Sequence, residues 1–249
     1  MGIELKQEIG MLRSRMIYNN PVKRMRLHRF YHQWIHPGNL CFDIGAHIGA
    51  QSATWLNLGA RVVALEPNPR LFRYLQRRFR NKTQIAMHND AIGEQPGQLA
   101  LYISSIAPTV STMSDVNWRT TIHDRSSFDV QWDREYLVNV VTLQQLIDQY
   151  GIPDFIKLDV EDYEFQALAG LHTKVPFLSF EYFSYQKEQS TRCIQRLETL
   201  GSYVYNVSFR EYFTLNYDRW MSAEEILRWV ADRDPDAHSG DIYARLTVK

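Results

Sequence analysis

Residues 40–50 read L-C-F-D-I-G-A-H-I-G-A, and the fold turns on them. Leu40 to Ile44 is a short apolar run broken by one acid, Asp43. Gly45 and Gly49 then flank a turn, and an apolar-periodic segment follows at once. This order predicts a buried strand, a tight glycine turn and the start of a helix. In an α/β sheet such a turn lies at the carboxyl end of the first strand, where ligands bind.

Outward from this stretch, strand and helix patterns alternate. Residues 61–65 predict a second strand ended by Glu66-Pro67. Residues 68–80 predict a helix with Pro69 in its first turn and Leu71, Phe72, Leu75 and Phe79 as its apolar stripe. Residues 84–88 make a third strand, followed by Asn89-Asp90-Ala91, and 98–103 an added strand. A helix over 142–149 has Thr142 as its N-cap. The fourth strand is 154–158 with Asp159 at its end, and a short helix over 161–170 stops at Gly170. The fifth strand is 177–182, followed by a helix over 187–200. Strands over 203–207 and 242–248, with a helix over 218–235 between them, complete the pattern. Right-handed crossovers turn this order into an α/β fold with a doubly wound, mostly parallel sheet. Residues 104–135 are polar and irregular, with Ser111, Thr112, Trp118 and Trp132. A loop of that length in a compact domain is usually functional or mobile.

Residues 1–36 differ from the rest, 37–249, and read as a helical arm: seven Lys or Arg face only Glu4 and Glu8. Asn19-Asn20-Pro21 breaks the arm into two helices, about 3–17 and 21–34. Such an arm covers a pocket edge or a partner subunit in a homo-oligomer, or offers a basic face to an anionic substrate or a membrane surface. The whole chain balances 28 Lys and Arg against 28 Asp and Glu, so no global charge points to nucleic acid. No apolar run approaches the ~20 residues of a transmembrane segment, and no secretory signal is read. Cys41 and Cys193 are expected as reduced core thiols, which makes the cytoplasm the expected compartment.

Five predicted strand ends carry an acid: Asp43, Glu66, Asp90, Asp159 and Glu181. Clustered carboxylates repel and raise one another's pKa, so a cation or a donor-rich ligand is expected among them. Glu66 suits a ribose diol, accepting both hydroxyl protons; an N-cap role competes, although Asn68 caps that helix equally well. Asp90 suits an adenine amino group with the Ala91 amide beside it, or is a turn aspartate. Gly45 and Gly49 lack the central glycine that lets a backbone approach pyrophosphate, because His47 stands between them. Asp43 also disfavours a phosphate. S-adenosylmethionine, an adenosine with a sulfonium and an ammonium group, fits these acids better. A nicotinamide dehydrogenase is the weaker reading, because the glycine pattern is wrong for it.

The segments D-I-G-A-H-I-G (43–49), A-L-E-P-N (64–68), N-D-A-I-G (89–93) and K-L-D-V-E (157–161) with Glu164, in this order, resemble the FkbM-type family of S-adenosylmethionine-dependent methyltransferases. S-G-D-I-Y-A (239–244) adds to the likeness. The resemblance implies a seven-stranded Rossmann-like methyltransferase sheet and, typically, O-methylation of a sugar or secondary metabolite. It implies that Asp43, Gly45 and Gly49 line the methionine moiety; Ala46 and His47 in the same loop are expected at the cofactor, with His47 otherwise a turn histidine satisfied by backbone. Glu66, with Pro67 and Asn68 beside it, would hold the ribose, and Asp90 with Ala91 the adenine. Ser111-Thr112 resembles a serine-bearing loop that closes near the cofactor. Two positions depart from the family pattern: Asp162 replaces a usual glycine, and His47 a usual small polar residue. Asp162 is expected to narrow or recharge the acceptor pocket, and keeps open a non-catalytic adenosine-binding module.

Asp159 is expected as general base or metal ligand, with Glu161 assisting and Lys157 tuning Asp159 or holding the acceptor oxygen, unless these residues form an internal salt-bridge network under the pocket. Asp159, Glu161 and Glu181 are also hard oxygen ligands of the type Mg²⁺ takes, but the reading assigns no required metal. The expected acceptor is a small molecule, a sugar or polyol, and Tyr182, Phe183, Tyr185, Phe209, Tyr212 and Trp220 suggest an aromatic wall for it.

Overall fold

The computed structural model describes residues 3–18, 20–107, 111–114, 119–120, 130–210 and 212–247. Two helices open the chain, α1 (Ile3–Tyr18) and α2 (Pro21–Tyr31). Asn20 caps α2 by accepting from the Val22 N–H at 2.8 Å, and Pro21 takes a first-turn place that needs no donor. The alternating part follows: β1 (Leu40–Ile44), α3 (Ala50–Asn57), β2 (Arg61–Leu65), α4 (Pro69–Arg78) and β3 (Ile85–His88). Then come β4 (Ala91–Ile92), β5 (Gly97–Ile103), β6 (Arg134–Val141) and α5 (Leu143–Tyr150). Last are β7 (Phe155–Leu158), α6 (Glu164–Ala169), β8 (Phe177–Tyr182), α7 (Lys187–Leu200), β9 (Tyr203–Phe209), α8 (Ala223–Ala231) and β10 (Gly240–Leu246).

Seven strands form one sheet in the order β3-β2-β1-β7-β8-β10-β9. All run parallel except β10, which lies antiparallel between β8 and β9. The chain leaves β1 toward β2 and β3, then returns to β7 on the other side of β1. That reversal opens a crevice beyond the carboxyl ends of β1 and β7, where doubly wound sheets bind their ligands.

Side chains alternate across the sheet. Phe42, Ile44, Val63, Leu65, Ile156, Leu158 and Phe180 face one core with α5 to α8. Cys41, Val62, Ala64, Phe155 and Tyr243 face the other. Leu27, Phe30 and Tyr31 of α2 belong to that second core, with Tyr31 edge-on to Trp55 at 5.4 Å and Phe30 to Tyr243 at 5.4 Å. Both cysteines are buried free thiols.

A second, three-stranded sheet, β4-β6-β5, departs from the sequence reading, which placed only one added strand there. β6 alternates exposed Glu135, Leu137 and Asn139 with half-buried or buried Tyr136, Val138 and Val140, a period-2 pattern hidden by the polar residues just before it. Trp118 lies outside the described residues.

Candidate active site

The loop after β1 is shaped by backbone constraints. Gly45 has φ +86°, and a Cβ there would lie 1.8 Å from the Asp159 carbonyl oxygen at the end of β7. Only glycine lets the two strand ends come so close. Gly49, at φ +73°, is the N-cap of α3, where a Cβ would meet the Phe79 ring at 2.6 Å. His47, with φ +51°, completes the turn, and its N–H donates to Glu66 Oε2 at 2.7 Å. The Asn68 N–H donates to Glu66 Oε1 at 2.9 Å, while the Asn68 side chain accepts from Arg70 N–H and so caps α4.

A cavity of about 270 Å³ opens above this loop. Its walls include Gly45, Ala46, His47, Glu66, Pro67, Asp90, Ala91, Ser111, Lys157, Asp159 and Glu161. Three residues assigned to the cofactor do not reach it. Asp43 is buried behind the loop, and its Oδ2 accepts from the Ser52 N–H at 3.0 Å and the Ser52 hydroxyl at 2.5 Å. Gly49 serves the packing of α3 on α4, and Asn68 caps α4. These three hold the wall from behind, because the strand and helix starts demand their groups first.

On the opposite side of the cavity stand Lys157, Asp159, Glu161, Glu181 and Asp241. Lys157 is buried, and its Nζ donates to Asp159 Oδ2 at 2.8 Å and to Asp241 Oδ1 at 3.4 Å. Burial alone would lower the ammonium; the carboxylates of Asp159 and Asp241 outweigh it and hold it well above the ordinary lysine range. Asp159, Glu161 and Glu181 each bring one oxygen within 4.8 Å of the others. Burial, then the charge of Asp159, pushes the Glu161 and Glu181 carboxyls well above the usual carboxylate range. Glu181 Oε2 is buried without a hydrogen-bond partner.

The other ionisable groups respond mainly to burial. It raises Glu66 to about 8 against the pull of its two backbone donors, and raises Asp43 to about 6 against Ser52 and Lys157. It lowers His47 to about 4, so its ring is neutral at pH 7.

Strain gathers at the same place. Among the described residues five non-glycines have positive φ: His47, Glu161, Asp162, Arg210 and Phe213. All but Asp162 line the cavity, and such conformations cluster at functional sites. Glu161 and Asp162 form one left-handed turn, at φ +53° and +74°. The segment 111–114 is fastened onto it. The Thr112 hydroxyl donates to the Glu161 carbonyl at 2.6 Å, and the Ser114 hydroxyl lies 2.9 Å from both the Asp162 carbonyl and its Oδ2. Asp162 therefore points at Ser114 and is not a cavity residue, so it does not narrow the pocket as expected, although its charge adds to the rise of Glu161. The proposed aromatic wall is also displaced. Tyr182 and Phe209 pack on Trp229, Trp220 packs on Phe177, and Phe183 packs on Tyr185. None of the six lines the cavity; Phe213 does.

The sequence reading singled out none of the wall residues Arg210, Phe213, Ser239 and Asp241, although the first three fall in the 208–240 stretch expected to help build the acceptor pocket. Ser239 and Asp241 carried a signal, within S-G-D-I-Y-A.

The profile of the methyltransferase FkbM domain matches residues 43–234. The chain belongs to the FkbM methyltransferase family. No curated protein sequence matches it. Among solved structures it is similar to a precorrin-6y C5,15-methyltransferase from Geobacter metallireducens, at 13% identity over 88% of this chain and 87% of that one, with a TM-score of 0.41. A TehB-like SAM-dependent methyltransferase from Corynebacterium glutamicum gives 12% over 90% and 88%, TM-score 0.43. Aeropyrum pernix fibrillarin with bound S-adenosyl-L-methionine gives 14% over 85% and 68%, TM-score 0.42.

Proposed function

We propose that this FkbM methyltransferase moves a methyl group from S-adenosylmethionine to a hydroxyl oxygen of a small polyol or sugar. The observation that carries this reading is the split of the cavity. One side presents Glu66, fixed by two backbone N–H groups. The other presents the Lys157–Asp159 pair with Glu161 and Glu181. S-adenosylmethionine supplies an electrophilic methyl group on a sulfonium. Glu66 accepts from the ribose hydroxyls, and Asp90 with Ala91 takes the adenine edge. Gly45, Ala46 and His47 follow the methionine part, and Ser111 closes over the adenosine.

Asp159 accepts the proton that the acceptor hydroxyl loses, and a positioned base of this kind contributes about 10²–10⁴-fold. Lys157 fixes the Asp159 carboxylate through Oδ2. Glu161 and Glu181 bind further hydroxyls. Crowded carboxyl groups, whose ionisation is already suppressed, favour an acceptor rich in hydrogen-bonding hydroxyls over one that adds further negative charge. The three oxygens also match Mg²⁺ by donor type, but the Lys157 ammonium already stands against Asp159 and competes for that oxygen. Activity is therefore expected to survive EDTA.

The test is calorimetric titration with S-adenosylhomocysteine, followed by incubation of enzyme and labelled cofactor with polyols and sugars. A product one methyl group heavier supports the proposal. No binding of S-adenosylhomocysteine removes it, and methylation of amines alone moves the chemistry to nitrogen.

A further inference from the structure

The neutral total charge hides a segregated one. Residues 20–36 and 68–84 contain ten Lys or Arg and no Asp or Glu, so the rest of the chain holds 28 acids against 18 bases. The fold brings these two segments to one side. Arg24 of α2 and Arg78 of α4 line one groove. Met11 of α1 packs with Leu71 and Tyr74 of α4, and the Glu8 carboxylate of α1 pairs with Arg70. Arg24, Arg26 and Arg29 of α2 and Arg73, Arg77 and Arg80 on and after α4 are exposed.

Apolar side chains stand among these cations. Ile9, Leu12 and Met16, spaced i, i+3 and i+7 on one helix face, are 43%, 56% and 70% exposed. On α2, Val22 and Met25 are 51% and 66% exposed. Half of the large exposed apolar residues among those described thus fall within the first 25 positions. Ile9 and Leu12 share a groove with Arg73 and Arg77. A surface built from several helices that sets exposed apolar side chains beside arginines can meet both the phosphates and the acyl boundary of an anionic bilayer.

We infer that the face built by α1, α2 and α4 docks on an anionic phospholipid bilayer, with the arginines at the phosphates and Leu12, Met16 and Met25 in the acyl boundary. Nucleic acid matches the charge but offers nothing to the apolar stripe. A two-fold contact with a second copy would set the same cationic surface against itself. Met11 also packs on Ile48 and Leu71, and both line the cavity. The docked face is therefore the back of the cavity wall.

The experiment is co-sedimentation of the whole protein with vesicles of phosphatidylcholine alone and of phosphatidylcholine with phosphatidylglycerol at about 3:1. Binding is expected to the mixed vesicles only, and to fall as salt rises. The exposed pair Arg73→Gln/Arg77→Gln should weaken it about 30-fold, and Leu12→Ser/Met16→Ser should weaken it at every salt concentration. S-adenosylhomocysteine binding by both variants should match the parent, which shows that they fold. The inference fails if mixed vesicles are not bound or if the arginine pair leaves binding unchanged. It also fails if an RNA oligonucleotide binds more tightly than the vesicles, or if light scattering shows a dimer that the arginine pair dissociates.

Discussion

At one end of the cavity Glu66 meets two backbone donors, at 2.7 and 2.9 Å, on a loop fixed by Gly45. At the other end Glu161 and Glu181 crowd Asp159, Glu181 Oε2 has no partner, and the backbone at Glu161 and Asp162 is left-handed. The first end is satisfied before any ligand arrives; the second is held in a costly state by its surroundings. Under the proposed function, the contrast separates a region that binds the cofactor from one that reacts. Preorganised groups hold a ligand with little rearrangement, whereas crowded acids with a carboxyl oxygen left unpartnered are candidates for moving a proton.

If the contrast is right, the two ends break differently. The largest effect is expected from Asp159→Asn. Turnover should fall about 10²–10⁴-fold, while S-adenosylhomocysteine affinity stays within a few-fold. A parallel loss of affinity and turnover, measured by calorimetry beside single-turnover rates, would merge the two ends into one.

Next comes Glu66→Gln, which above about pH 8 removes a charge from the ribose contact. Affinity should drop about tenfold, with turnover at saturating cofactor little changed. The ribose hydroxyls need the ionised carboxylate as acceptor, and Glu66 is raised to about 8. Wild-type affinity should therefore climb from acid pH toward about 8 and then level, and the Gln variant should give a flat profile.

Stability supplies a third contrast. Glu66 and Glu164 sit at about 8 in the folded chain because of burial, above the ordinary 4.5 of an unfolded glutamate. Between those values the folded state binds more protons than the unfolded one, so stability falls as pH rises from 4.5 to about 8 and levels above it. Scanning calorimetry should find a lower Tm at about pH 8 than at about pH 6, and a smaller difference in Glu164→Gln. A Tm that rises across this window would contradict the burial of both groups.

The smallest effect is expected from Asp162→Gly. It relieves a left-handed residue, worth about 1–2 kcal/mol, and loses the contact between the Ser114 hydroxyl and Asp162 Oδ2, worth about 1 kcal/mol. The two nearly cancel, so Tm should move by only a few degrees. The Asp162 carbonyl still holds Ser114, so the KM for acceptor should change less than about fivefold.

Much of the binding end was legible because its chemistry follows the chain. Gly45, Glu66 and Asp90 lie next to strand ends whose apolar runs announce themselves, and four of the five strand-end acids reach the cavity. Asp43 does not, because its carboxylate goes to Ser52 in the first turns of α3, a partnership that spacing alone does not specify. The acceptor end was less legible. Arg210, Phe213 and Asp241 arrive there because β10 slots antiparallel between β8 and β9, and no local pattern records that insertion. The aromatic residues near this end went to core packing on Trp229 and Phe177 instead. Total charge was equally uninformative, since the two basic segments had to be folded together before Arg24 and Arg78 came to line one groove.

The sequence by itself determined the alternation of strands and helices, the glycine turn of residues 43–49 and the family of the chain, because periodicity, turn chemistry and motif order are local properties. Only the tertiary structure decided that Asp162 turns to Ser114, that Lys157 lies between Asp159 and Asp241, and that α2 joins the core. Those outcomes depend on which groups meet across the sheet, and burial then sets their charge and partners.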